Sequence, residues 1–355
     1  MKTVIILSPY PPGTAPSQRF RYEHYLPLLA DQGIGFRYES FFKVETWKIL
    51  YRPGFVLAKV GGILMGYWQR MRLLGGLRSS DYVFIHREAS PLGPPVFEWF
   101  IAKVARKRII YDFDDAIWLP NTSVQNRWVA WLKWHGKVKW ICKWAYKVSC
   151  GNAYLADYAR RYNPRVEVLP TVVDTENTHY PRPKVPSASV RIGWTGSHST
   201  LPYLRPLLPL LQQLEEEFDL EIIVIADQQP DFYLRSLKYI PWSKETEIED
   251  LSQIDIGLMP LPNDQWAKGK CGFKAIQYQA IGIPAVASPV GVNPEVILDG
   301  ETGFLADTPE QWLNALRTLV QDEALRQAMG RKGRQHIQAN YSVSATTEQF
   351  LQLFS

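Results

Sequence analysis

Lys268, Lys270 and Lys274 crowd the start of an expected helix in the run Lys268-Gly-Lys-Cys-Gly-Phe-Lys-Ala-Ile-Gln-Tyr-Gln-Ala. Cations at a helix N-terminus oppose the macrodipole, so the placement is costly unless an anion sits there. A diphosphate would satisfy both the ammonium groups and the unpaired backbone N–H groups of the first turn. Lys270 and Lys274 are four residues apart and can share one helical face, with Gln277 one turn further on. A solvated basic patch is the bland alternative. A second anion-site pattern is Val190-Arg-Ile-Gly-Trp-Thr-Gly-Ser-His-Ser-Thr200, an apolar run that enters a small polar turn at Gly196, Ser197 and His198 before a helix. It carries neither a Walker A sequence nor the three-glycine dinucleotide fingerprint, and an ordinary strand–helix turn is its alternative.

An acidic cluster, Asp112, Asp114 and Asp115, closes the run Tyr111-Asp-Phe-Asp-Asp-Ala-Ile-Trp118. Three readings compete for it: a carboxylate acting as base or orienting an acceptor hydroxyl, a metal site, and plain helix capping. The first is preferred and no metal is expected. His86-Arg87-Glu88 ends the preceding apolar run; Arg87 and Glu88 are acceptor-side candidates, and His86 reads as packed rather than catalytic.

These residues need elements to hold them. Short apolar runs at 3–7, 82–86, 108–111, 147–150 and 166–169 alternate with helical stretches, one of them running from a Ser17 cap to about Asp31. The second half repeats the design, with strands at 190–194, 221–226, 255–259 and 284–287 and helices near 200–217, 272–281, 309–321 and 323–339. Such alternation implies an α/β chain of two Rossmann-like, doubly wound parallel sheets facing a central cleft. Ligands in these sheets bind beyond the C-terminal strand ends. Residues 179–189 hold three prolines without apolar periodicity, the composition of a linker. The expected division is therefore 1–183 and 184–340, with 341–355 a C-terminal helix returning to the first domain.

Composition bounds the function. The chain has 355 residues, 46% apolar and 21% charged, which excludes a disordered or fibrous protein. Its 3 cysteines are too few and too scattered for a disulfide framework or zinc cluster and suit a reducing cytosol. No stretch is long and apolar enough to suggest a membrane span, and the N-terminal apolar run reads as a strand rather than a leader. Residues 1–183 carry 26 Lys/Arg against 14 Asp/Glu, whereas residues 184–355 carry 14 against 21. A basic half suits an anionic partner; no recognition helix or RNA motif accompanies it, so nucleic acid is not expected.

Residues 127–147 are rich in Trp and Lys. At about 100° per residue, Lys133, Lys137, Lys139, Lys143 and Lys147 share one arc, with Trp140 and Trp144 among them. Trp131, Trp134, Val138, Ile141 and Ala145 form the opposite, core-facing stripe. Basic residues mixed with Trp suit the headgroup layer of an anionic bilayer, and Lys48 to Arg78 adds a second basic stretch.

The pattern of a helix, then Tyr278-Gln-Ala-Ile-Gly-Ile-Pro-Ala-Val-Ala-Ser288, then Gly291-Val-Asn-Pro-Glu295, then Gly300-Glu-Thr-Gly-Phe-Leu305 resembles the donor domain of GT-B glycosyltransferases, in particular the family-four group (glycosyl transferases group 1). So does Cys150-Gly-Asn-Ala-Tyr-Leu-Ala-Asp followed by Val166-Glu-Val-Leu-Pro-Thr-Val-Val-Asp174. The resemblance implies a metal-independent, cofactor-free, retaining transfer from a nucleotide-sugar to a hydroxyl on a lipid-linked or cell-envelope glycan. With the scarce cysteines and the Lys/Trp-rich stretch, the expected location is the cytoplasm, peripheral at the inner face of the cell membrane. By resemblance, Lys270 and Lys274 hold the donor diphosphate; Gly196, Ser197, His198, Cys271, Gly272, Val290 and Gly291 surround the donor; Trp242 belongs to a base-binding loop. Gly13, Arg19 and Arg21 match a first loop and helix on the acceptor side. Two departures stand out. Gln277 replaces the second Glu of the group's Glu-x7-Glu pair, Gly269 replaces the first, and the group's Arg-x4-Lys pair is missing beside His198 and Thr200. A silent nucleotide-sugar or glycan-binding protein, or a nucleotide-sugar epimerase on the same fold, are the rival readings.

Overall fold

The computed structural model describes residues 2–120, 132–184 and 186–355. They form two units, Met1–Thr171 with Thr346–Ser355, and Val172–Ala345. The first is built on β1 (Thr3–Ser8), β2 (Gly35–Ser40), β3 (Tyr82–His86), β4 (Arg108–Phe113), β5 (Lys147–Cys150) and β6 (Val166–Val168). All neighbours are parallel, in the order β2-β1-β3-β4-β5-β6. Central strands β1 and β3 are nearly continuous apolar runs because helices cover both faces. Helices α1 (Val56–Gly75), α2 (Lys137–Trp144) and α3 (Ala153–Arg160) lie between strands.

The second unit contains β7 (Val190–Gly196), β8 (Leu220–Ala226), β9 (Leu237–Pro241), β10 (Ile256–Met259), β11 (Ala285–Ala287) and β12 (Gly303–Leu305). Their order is β12-β11-β10-β7-β8-β9, again parallel throughout. Numbered from its own first strand, this is the doubly wound 3-2-1-4-5-6 order, whose winding reverses between β7 and β10. In the first sheet the reversal lies between β1 and β3. Helices α4 (Leu208–Glu217), α5 (Phe273–Ala280), α6 (Pro309–Gln321) and α7 (Glu323–Asn340) complete the second unit. Helix α8 (Val343–Gln352) ends in the first unit, where Phe350 stacks on Tyr25 at 4.2 Å and Gln349 donates to the Val168 carbonyl.

The division between units comes at Thr171/Val172, upstream of the proline-rich stretch. Val173 pairs with Ser342 in an isolated bridge, and Arg334 donates to the carbonyls of Thr175 and His179. These contacts tie 172–183 to the second unit. The expected helix from Ser17 to Asp31 is in fact three short pieces, Pro16–Arg19, Glu23–Tyr25 and Leu26–Asp31. Pro27 has no N–H to offer the preceding turn, so the helix restarts there. Strand β2 escaped the sequence because an edge strand of half-exposed residues carries little apolar signal.

Candidate functional site

The second unit assembles its candidate site at the β7–β10 reversal. Gly257 in β10 has no side chain, and a Cβ there would lie 2.3 Å from the Tyr278 ring. That gap lets α5 settle against the sheet. The buried Tyr278 hydroxyl accepts from the Thr195 N–H at 3.0 Å and faces the Leu258 carbonyl. Burial pushes its ionisation well up, so it serves as a neutral peg between β7 and β10. The N-terminus of α5 is thereby fixed beside the end of β7. Gly272 caps it in a left-handed conformation, φ +69°, where a Cβ would meet Val296 at 2.9 Å.

Lys274 carries its ammonium 5.5 Å from the Trp194 ring centroid, and Lys270 lies 5.2 Å from that of Trp266. Trp194 is a buried residue of β7, so the Lys274 contact joins the first turn of α5 to that strand. Gly291, φ +60°, brings the loop after β11 against the same turn; a Cβ there would lie 2.9 Å from the Lys268 carbonyl oxygen. Both lysines are half-buried and Lys268 is exposed. Cys271 and Val290 are buried and shape the turn from beneath.

At the end of β7, Ser197 donates its N–H to Thr200 Oγ1 and shares a hydrogen bond with Ser199. His198 is gripped twice by Asp227 at the end of β8, through its backbone N–H and its ring Nδ1, each at 2.6 Å. In the sequence Asp227 is marked only as a lone carboxylate directly after an apolar strand. Trp242 follows β9 directly and donates its N–H to the Ala226 carbonyl. Gln277 points inward, 3% exposed, within 3.5 Å of His179 and 3.4 Å of Glu247. Its amide nitrogen is thus engaged inside the unit. His179 and Glu247 had no sequence signal.

In the first unit the acidic cluster divides. Asp112 is 1% exposed and bonded to Arg21, His86 and Ser149. Burial alone would raise its ionisation, but the Arg21 guanidinium and then His86 hold it well below the usual carboxylate range. Arg21 also donates to the Leu169 carbonyl. The two are a buried structural pair, so Asp112 as a catalytic group and Arg21 as an acceptor contact are both corrected: neither meets solvent. His86 is packed as expected, with its ring 5.3 Å from that of Tyr22.

Asp114 and Asp115 stay half-buried and together clamp Arg87, at 2.8 and 2.7 Å. Although burial opposes the charge, these two carboxylates push the Arg87 ionisation up, so it is a permanent cation. The cluster lies past the ends of β3 and β4. Glu88 pairs with Lys137 at 2.7 Å. Gly13, φ 71°, donates its N–H to Glu23, and Arg19 lies over the Phe20 ring at 4.7 Å. Among the described residues no group of three or more His, Cys, Asp or Glu gathers as metal ligands would.

The face of α2 departs from expectation. Lys137 is 3% exposed and donates to the Ser90 carbonyl, so it belongs to the interior rather than to a membrane surface. Trp134 is exposed instead of core-facing, because the chain turns left-handed there, φ 47°. Trp131 lies outside the described residues. Lys139 and Lys143 are exposed and both lie over the Trp140 ring, with Trp144 6.0 Å away; Lys133 is half-buried. Val138, Ile141 and Ala145 form the buried stripe as expected.

Comparison with known proteins agrees with this layout. Sucrose-phosphate synthase from Thermosynechococcus elongatus superposes over 100% of this chain and 98% of its own, with a TM-score of 0.70 at 13% identity. Anabaena HepE in complex with UDP and glucose does so over 100% and 99%, with a TM-score of 0.64 at 13% identity. The fold is GT-B. Residues 235–336 match the family described as glycosyl transferases group 1, which bears out the resemblance seen in the sequence. That span contains α5 and the three lysines. D-inositol 3-phosphate glycosyltransferase from Corynebacterium efficiens is 37% identical over 103 residues, 28% of this chain and 23% of that protein. The matched region is thus about a quarter of the length of such relatives.

Proposed function

We propose that this protein is a glycosyltransferase that moves a sugar from a nucleotide-sugar donor to a hydroxyl acceptor on a lipid-linked or cell-envelope glycan. One observation carries the reading: two lysines flank the fixed N-terminus of α5 beside the β7–β10 reversal, where the doubly wound order puts a ligand. The leaving diphosphate gathers negative charge as the glycosidic bond breaks. In this reading Lys270, Lys274 and the first N–H groups of α5 stabilise that charge without a metal. In this reading Asp114 and Asp115, which pair with Arg87, orient or deprotonate the acceptor hydroxyl. The group 1 match over 235–336 and the UDP and glucose bound by HepE support a nucleotide-sugar donor. Retention of anomeric configuration follows by likeness to the group alone. An anionic membrane surface is the setting a lipid-linked acceptor requires.

A silent nucleotide-sugar-binding protein is the second reading, favoured by Gly269 and by the inward Gln277. One experiment separates the two. Nucleoside-diphosphate sugars with labelled glycosyl groups are incubated with and without a membrane lipid extract, and the products are resolved. Label moving into the lipid fraction supports the transferase; binding without turnover supports the silent reading, and no binding of any donor refutes both.

A further inference from the structure

Helix α1 has an unusual distribution of apolar residues. Its packing face combines Gly62, Gly66 and Arg70 with Tyr67, which meets the Phe41 and Phe97 rings, and the buried Leu73. Gly62 lies against Thr46, where a Cβ would come within 2.3 Å, and Gly66 against the Phe41 ring, within 2.5 Å. Arg70 is buried on the same face and donates to the carbonyls of Ala89 and Ser8. The solvent face carries the large apolar residues: Leu57, Val60, Leu64, Trp68 and Met71 recur at three- and four-residue steps, with Met65 beside them. Leu57 is 88% exposed and Leu64 64%. Tyr51, Phe55 and Val56 extend the patch at the helix N-terminus. An ordinary surface helix has the reverse polarity, and contiguous exposed apolar surface of this kind marks an interaction site.

The charges around the patch select its partner. From Thr46 to Ser80 the sequence contains no Asp or Glu, whereas Lys48, Arg52, Lys59, Arg72 and Arg78 accompany the buried Arg70. Arg72 lies over the exposed Trp68 ring at 4.6 Å. Glu45, exposed beside Thr46, is the nearest acidic residue in the sequence before this stretch. An apolar stripe that includes Trp and is flanked mostly by cations suits the boundary between acyl chains and acidic headgroups. At 20 residues α1 is long, but no helix among the described residues is apolar enough to cross a membrane.

We propose that the outward face of α1, with Tyr51 and Phe55, is the element that docks this protein on an anionic lipid bilayer. It rests on the membrane setting proposed above and names the contact: α1, rather than the Lys/Trp face of α2, enters the interface. Cosedimentation of the full chain with phosphatidylglycerol–phosphatidylcholine vesicles, against phosphatidylcholine alone, tests it. The parent is expected to partition onto the anionic vesicles, and Leu57→Asp with Leu64→Asp to reduce this at least roughly tenfold. Both positions are exposed, so the thermal melt and nucleoside-diphosphate affinity should match the parent, which keeps a docking failure distinct from a failure of the donor site. Trp140→Ala with Trp144→Ala is expected to leave partitioning within about twofold. The proposal is overturned if the Asp variant partitions like the parent, or if the α2 variant alone loses binding. It is equally overturned if both vesicle types bind alike. A parent that ignores vesicles but sediments as a dimer, made monomeric by the Asp variant, would assign the face to a second copy instead.

Discussion

Replacing Asp112 by Asn asks whether that carboxylate holds the first unit together or does chemistry. In the structure it is enclosed by Arg21, His86 and Ser149. The substitution keeps the shape but leaves the buried Arg21 guanidinium without its counter-charge. Breaking a buried pair in this way costs about 3–5 kcal/mol. For a domain of this size each kcal/mol shifts the midpoint by about 2–4 °C, so a fall of roughly 6–20 °C is expected. The pH dependence adds an independent check. Because the folded carboxyl ionises well below its unfolded value of about 4, its contribution is complete above that pH and is lost as pH falls toward the folded value. The parent should therefore lose its advantage over Asp112→Asn progressively below about pH 4. Calorimetric melts of both proteins across that range, with turnover measured well below the melting point, supply the data. A variant that melts within a degree or two of the parent yet loses turnover would refute the structural assignment and return Asp112 to the catalytic list.

Two further outcomes are expected. Gly291→Ala forces a side chain into a left-handed conformation and against the Lys268 carbonyl. A stability loss of about 1–3 kcal/mol with weakened nucleoside-diphosphate binding should follow, and unchanged melts and affinity would show that the loop does not support the lysine turn. Asp115→Asn should lower turnover by about 10²–10⁴-fold if that carboxylate handles the acceptor proton, while donor affinity stays at the parental value. Turnover equal to the parent's would leave Asp115 as a partner of Arg87 only.

Much of the architecture was legible because buried parallel strands write themselves as short apolar runs. β1, β3, β5 and β7 stand where those runs do. The lysine turn was legible for a related reason: three cations beside a helix start are electrostatically costly wherever the helix lies. What escaped depends on partners distant in sequence. Asp112 and Arg21 are 91 residues apart, and only the fold shows that each neutralises the other. Lys137 looked like a member of a basic face until the Ser90 carbonyl and Glu88, from another segment, drew it inward. The sequence of α1 does not say which of its faces meets protein; the tight contacts of Gly62 and Gly66, with buried Arg70 and Leu73, show it.

The central claim is that Lys270 and Lys274, at the N-terminus of α5, receive the diphosphate of the donor. Isothermal titration of the parent, Lys270→Ala and Lys274→Ala with nucleoside diphosphates tests it most directly. Each substitution is expected to remove roughly 1.5–3 kcal/mol, a charged hydrogen bond, and so to raise Kd about 10- to 150-fold. Parental affinity in both variants would contradict the account.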